Sequence, residues 1–416
     1  MDKSFHIENR QDLYKNFEEG TILLLFAGNP IRMSADAFYS FYTNRNFLYL
    51  TGLSGSNTKG FIFMAQLKKT GPEEKIYILP PDMLAERWDG IRLKEDEVKE
   101  LSGIENISFI ENFEKDFHAA MNSGAYHTVG LDLFKLKPGE SDDVAHSFIK
   151  YIDYNYPFMK TLNLYPQIRR QRTIKKPCEV EAMRKAIEIT GQAIEAMMKA
   201  AKPGIYEYEL RACFDDVLAR DRVFMPGFPP IISVGENNFS IHYDGRMGRA
   251  EDGDMVLNDV GARYDEVGCD VSRGWPVNGK FSEKQALLYQ AAYNTSEHMF
   301  KIIKPGMPMK DVDRLAKEYV YEELKEIGLC QSWEDVNKYI WHGGAHHVGY
   351  DTHDVVEAQG EIRPGMIFCV DVGIYCQEWG IGFRLEDNCL VTEDGCENLS
   401  RDIPRTIEEI ERVMAK

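Results

Sequence analysis

The sequence predicts a two-domain chain of mixed α/β (α+β) class, and three observations carry that reading. At 416 residues the chain is longer than one ordinary hydrophobic core supports. Its first ~160 residues alternate short apolar runs with amphipathic stretches. Its later part holds two strand-rich regions, 254–278 and 366–392, with helical patterns between them.

In chain order, TILLLFAG (21–28), GFIFM (60–64), KIYILP (75–80), ISFIE (107–111) and HTVGLD (127–132) read as buried strands of a first α/β domain, residues 1–165. The stretch LYPQIRRQRTIKKPC (164–178) is basic and proline-bearing and reads as a linker into a second domain, residues 166–416. A helix is expected from Pro177. Proline suits a first turn, Glu179 and Glu181 suit the positive end of the helix dipole, and Val180, Met183, Ile187, Ile194 and Met197 form one stripe. KPG at 202–204 stops it, and further helical pattern follows at 205–220 and 282–328.

Composition narrows the function classes. The chain is 44% hydrophobic and 28% charged, as globular proteins are. A net charge of −18 argues against a nucleic-acid partner, since phosphate binding needs clustered Lys and Arg. No apolar run approaches the ~18 residues of a membrane helix, and the polar start MDKSFHIENRQDLYKNF lacks the apolar middle of a signal peptide. No membrane partner and a cytoplasmic location are therefore expected. The eight cysteines are scattered without a CxxC pair and read as reduced, buried small hydrophobes.

The chemistry lies in the second domain. MVLNDVGARYDEVGCDVSRGWPV (255–277) reads as a hairpin turning near Tyr264–Gly268, with Asp259 on one strand and Asp270 on the other. MIFCVDVGIYCQEWGIGFRLEDNCLV (366–391) repeats the arrangement with Asp371 and Glu386 about a turn at Glu378–Gly380. Between them, HGGAHHVGYDTHD (342–354) holds four of the ten histidines. Carboxylates flanked by apolar residues are costly unless paired, hydrogen-bonded or metal-bound, and four sharing a pocket repel one another. One resolution sets each acid at a strand end facing water or paired with Arg273 or Arg384. The other is divalent cations. Oxygen-rich donors with one imidazole favour Mn, Co, Zn or Fe over Ca, and two ions with bridging carboxylates match the acid count. Metal-assisted hydrolysis of an amide or ester is the reaction class this implies.

These motifs resemble, in order, the pita-bread metallopeptidases of the aminopeptidase P and prolidase group. NRNFLYLTG (44–52) and ERWDG (86–90) resemble the N-terminal domain. GENNFSIHY (235–243), NDVGARYDEVGCDVSRGWPVNGKFS (258–282), HGGAHHVGYDTHD, RPGM with GIY (363–375) and GFRLEDNCLVTEDG (382–395) resemble the catalytic domain. The resemblance implies a creatinase-type N-terminal domain, then a pita-bread domain binding two divalent ions, usually manganese, with cobalt, zinc or iron as alternatives. It implies that Asp259 ligates one ion, His346 the other, and that Asp270 and Glu386 bridge both. Asp371 falls where the family has a ligating, proton-handling glutamate. His242, His353 and His342 match histidines that face the substrate, and Arg384 an arginine beside the metals. His347 is given no role and is expected to be packed or at the surface. The implied activity is hydrolysis of the bond before proline, by an aminopeptidase P or by the dipeptide-specific prolidase. A creatinase-like C–N hydrolase is disfavoured by the retained metal acids, and a non-catalytic binding protein has Asp371 as its support. Homo-oligomerisation, as a homodimer or larger, is likewise implied by the resemblance. The chain departs from Thr-hydrophobic-Glu-Pro-Gly at Cys369-Val370-Asp371-Val372-Gly373, where aspartate reaches roughly 1.5 Å less than glutamate. A misplacement of that size can cost a catalytic group ~100-fold.

Overall fold

The computed structural model describes residues 1–357 and 360–415. The chain divides into two units, Met1–Gln171 and Arg172–Lys416. The division falls inside the stretch read as a linker, but that stretch is not extended, because Tyr165–Thr173 form a helix. Pro166 stands in its first turn, where a missing N–H costs nothing, so proline here marks a helix start rather than a break.

The first unit is built on a six-stranded mixed sheet. Its strands are β1 (Thr21–Phe26), β2 (Ile62–Lys68), β3 (Gly71–Ile78), β4 (Ile107–Phe109), β5 (Thr128–Leu131) and β6 (Lys160–Asn163), in the order β4-β3-β2-β1-β5-β6. The central strands β1 and β5 are buried along their whole length, as the continuous apolar runs predict. Ile22, Leu24, Val129 and Leu131 pack with Phe113, Phe117 and Ile152 from the covering helices.

The second unit begins with the expected helix, Pro177–Ala200, whose Met183, Ile187, Ile194 and Met197 are buried. Glu179 reaches back to the Lys176 N–H at 2.7 Å, satisfying one orphan donor of the first turn. The 282–328 pattern is two helices, Glu283–Ile302 and Lys310–Glu326, broken at Lys304-Pro305-Gly306.

The second sheet is wholly antiparallel. It contains β7 (Ile231–Val234), β8 (Met255–Val260), β9 (Val271–Pro276), β10 (Ile367–Cys376), β11 (Ile381–Val391) and β12 (Cys396–Asn398). Its order is β10-β11-β9-β8-β7, with β12 also on β11. Both expected hairpins are present. The first turns through Asp265 and Glu266, which take left-handed φ of 49° and 68° between the short pairs Arg263–Tyr264 and Val267–Gly268. The second turns at Gly380, φ 65°.

Strand alternation sorts the sheet into two faces. On β10, Phe368 and Val370 pack into a core with Met299, Val312, Cys389 and Val391, so Cys369 and Asp371 face the other way. On β11, Glu386 lies on the Asp371 side and Asp387 on the core side. The core-side charge is met by Arg273, which is fully buried, reaches Asp387 at 2.7 Å and also donates to the carbonyls of Ser272, Glu386 and Pro404. Arg405 lies 3.1 Å from the same carboxylate. Arg273 thus serves Asp387 rather than any of the four acids singled out from sequence. Arg273→Ala removes the closer of the two arginines from that buried carboxylate, leaves three backbone carbonyls without its N–H donors, and is expected to cost ~3 kcal/mol or more of stability in denaturant titration.

Candidate metal centre

One register row assembles the site. Asp371 on β10 pairs with Glu386 on β11, Glu386 with Ser272 on β9, and Ser272 with Asp259 on β8. Directly opposed residues share a face, so three carboxylates and a hydroxyl stand in line across four strands. The Ser272 hydroxyl donates to Glu386 Oε2 at 2.9 Å. Asp270 lies one residue before β9 begins rather than within it, and is 3% exposed. Asn388, two residues past Glu386, ties it down by accepting from its N–H (3.2 Å) and donating to its carbonyl (2.7 Å).

The histidine segment is laid along the open edge of β10. Asp371 N–H donates to Gly344 O (3.0 Å), Cys369 N–H to His346 O (2.7 Å) and Val348 N–H to Ile367 O (3.4 Å). The glycines permit the approach: a Cβ at Gly344 would come 2.9 Å from the Ala316 Cβ, and one at Gly349 would strike the Asp354 carboxylate. The far end of the segment is clamped by buried Asp354, which accepts from Arg172 and, at 2.6 Å, from Lys175. His347 is packed, with Nδ1 3.2 Å from the Ile367 carbonyl and its ring edge-on to Phe368.

The nine candidate residues all line one cavity of about 770 Å³: Asp259, Asp270, His346, Asp371, Glu386, His342, His242, His353 and Arg384. His346 Nε2 lies 3.2 Å from Glu386 Oε1 and 3.6 Å from Asp270 Oδ2. His353 sets its ring edge to His346 at 4.4 Å between centroids. His242 lies in the exposed loop after the Gly235–Phe239 turn. Arg384 donates to Asp259 Oδ2 at 2.7 Å, to the Ile241 carbonyl next to His242 at 3.2 Å, and to the Tyr375 hydroxyl at 3.1 Å. His342 Nδ1 stands 3.1 Å from Asp371 Oδ2, and its Nε2 is 3.1 Å from the Tyr375 hydroxyl.

The electrostatics are those of a buried acid cluster. Burial, then the Glu386 and Asp259 charges, push the Asp270 carboxyl well above its usual range. Glu386 is raised by burial and then by Asp371. For Asp371 burial alone would act upward, but His342 and Arg384 hold it below the usual value. Burial works against charge on His342 and His346, yet their carboxylate neighbours raise both to about 9. The donors fit divalent metal. Among the described residues, Oδ1 of Asp259, of Asp270 and of Asp371 are each buried without a hydrogen-bond partner, the state expected of oxygens whose partner is a cation.

Three participants escaped the sequence reading. Ser272 and Tyr375 sit on the site face at even spacing from Asp270 and Asp371, and that period of two was their signal. Cys369 belongs with Asp270, His346 and Glu386 to a group whose donor atoms all lie within 4.8 Å of one another. Asp259 and Asp371 flank that group.

Residues 181–393 match the model of metallopeptidase family M24, and residues 6–129 match the aminopeptidase P N-terminal domain. The chain belongs to metallopeptidase family M24. Within it, the relatives place the chain in the aminopeptidase P group, with the creatinase-type and pita-bread architecture that the motifs implied. The Xaa-Pro aminopeptidase of Escherichia coli K12 is 29% identical over 97% of this chain and 96% of its own length. A Bacillus anthracis structure, provisionally described as an aminopeptidase P, superposes with a TM-score of 0.97 at 35% identity, covering 100% of this chain and 98% of that one. E. coli aminopeptidase P with the inhibitor Pro-Leu gives a TM-score of 0.89 at 25% identity with the same coverage. A zinc-substituted form of that enzyme with product gives 0.88. Among the described residues, no helix is long and apolar enough to cross a membrane.

Proposed function

We propose that this chain is a metal-dependent Xaa-Pro aminopeptidase that removes the first residue of peptides with proline second. The observation that carries the reading is the cross-strand row of acids, its unpartnered oxygens turned into a cavity that His346, His342, His242 and His353 also line. Asp259, Asp270, His346, Asp371 and Glu386 would hold two divalent ions, and the family resemblance favours manganese. Bound there, the cations supply an acidified water and polarisation of the scissile carbonyl.

The chain's own groups do the rest. Asp371, ionised beside His342, would take up the proton released by the attacking water and pass it to the leaving imino nitrogen. His242 and His353, at the exposed side of the cavity, donate to the oxygen on which charge develops. Arg384 fixes Asp259 and, through the Ile241 carbonyl, the segment carrying His242. Phe228, Pro229 and Pro230 give the cavity an apolar wall suited to a pyrrolidine ring. A cytoplasmic homo-oligomer, a dimer or larger, is the setting we propose.

The test is turnover of Gly-Pro-Pro against Gly-Pro, with manganese and after chelation. Release of glycine from the tripeptide, lost on chelation and restored by metal, is expected. Cleavage of the dipeptide alone would make the chain a prolidase, and release from neither would end the peptidase reading.

A further inference from the structure

The metal-binding reading above is the ground for one further step, which concerns a residue it does not use. Cys369 lies two residues before Asp371 on β10 and shares its face. Across the sheet it pairs with Asn388, and Asn388 in turn holds Asp270 through two hydrogen bonds. Cys369, Asn388 and Asp270 therefore make a second row beside the acid row. The Cys369 N–H also fixes His346, through the 2.7 Å bond to its carbonyl.

The side chain is fully buried, and its polar neighbours are the Asp270 carbonyl, 4.0 Å from Sγ, and the Glu386 carboxylate. Sγ and one donor atom each from Asp270, His346 and Glu386 all lie within 4.8 Å of one another. A second observation points to the same place: Oδ1 of Asp270, on a residue 3% exposed, has no hydrogen-bond partner among the described residues. A buried cysteine with apolar neighbours is a small hydrophobe. This one faces two carboxylates and an imidazole.

We propose that Cys369 is a metal ligand, completing with Asp270, His346 and Glu386 a four-donor set that selects a thiophilic ion, Zn²⁺ or Co²⁺, over Mn²⁺. Four donors including one sulfur and one imidazole nitrogen suit the tetrahedral preference of zinc, and a coordinating thiol gives up its proton to the cation's field.

The experiment is a Co²⁺ titration of the metal-stripped full chain, with bound cobalt counted by elemental analysis and the near-ultraviolet spectrum recorded in parallel. A thiolate-to-cobalt charge-transfer band is expected to grow with bound cobalt in the wild type. It should persist in Cys178→Ser, which alters an exposed cysteine. It should vanish in Cys369→Ser and Cys369→Thr while cobalt is still bound. The zinc-over-manganese affinity ratio of Cys369→Thr should fall at least ~10-fold, the low end of the effect of losing a supporting partner at a metal site. Cobalt bound by the wild type without the band, or a band surviving in Cys369→Ser, overturns the proposal without touching the metal reading. No bound cobalt in the wild type overturns both.

Discussion

Asp270→Asn is expected to lower kcat/KM by at least ~1000-fold and to abolish stabilisation by metal, yet to leave the metal-free protein no less stable than wild type. The loss of activity follows from the metal's task. Lewis-acid stabilisation amounts to several kcal/mol, and ~1000-fold corresponds to about 4 kcal/mol. The effect on stability separates this role from a structural one. A buried acid retained for the fold holds something together, and its removal destabilises. Asp270 instead adds a buried charge beside Glu386 and Asp259, with an unpartnered oxygen, so asparagine relieves repulsion when no cation is present. Thermal denaturation with chelator and with metal checks this. At a metal concentration 100 times Kd the wild type should gain ~2.7 kcal/mol and the variant none. A metal-free variant melting well below wild type would return Asp270 to the scaffold.

Asp371→Asn is expected to lower kcat by ~10²–10⁴-fold, the range of general acid–base catalysis, with a much smaller change in KM. The amide keeps the shape of the carboxylate but cannot take up a proton, and it breaks the charge pairing with His342 Nδ1, 3.1 Å away. Asp371→Glu, which restores the residue usual in the family, should also fall, by ~100-fold. The longer side chain carries its oxygen off His342, and an ångström-scale misplacement costs about that much. A faster Asp371→Glu enzyme would show that the His342 contact is not the working geometry.

Much of this was legible in the sequence because the relevant signals are local. Short apolar runs located the strands β1, β2, β3, β4 and β5, although β4, read as buried, is a half-buried edge strand. The eleven-residue spacing of Asp259 and Asp270 pointed to a hairpin, and the histidine segment announced itself by composition. What sequence could not supply is the pairing of the two hairpins with each other. The bridge of Ser272 to Glu386 brings Asp259 of the first hairpin into one row with Asp371 and Glu386 of the second. Asp387 passed unnoticed because its partners Arg273 and Arg405 approach from the core side, one from the adjacent strand and one from 18 residues beyond it. Cys369 was assigned to the core by residue type, although the alternation that set Asp371 on the site face sets Cys369 there too. The Arg172–Asp354–Lys175 clamp joins residues 182 and 179 positions apart in the chain, beyond any periodicity.

On the proposed reading, one face of the second sheet would hold a pair of divalent cations. Metal content measures it directly. The purified chain is stripped with chelator, loaded with Mn²⁺, Zn²⁺ or Co²⁺ in separate samples, freed of excess metal and analysed for its elements. About two ions per chain are expected for at least one metal, given a bridging-carboxylate set of this size. Fewer than one ion per chain with every metal would contradict it.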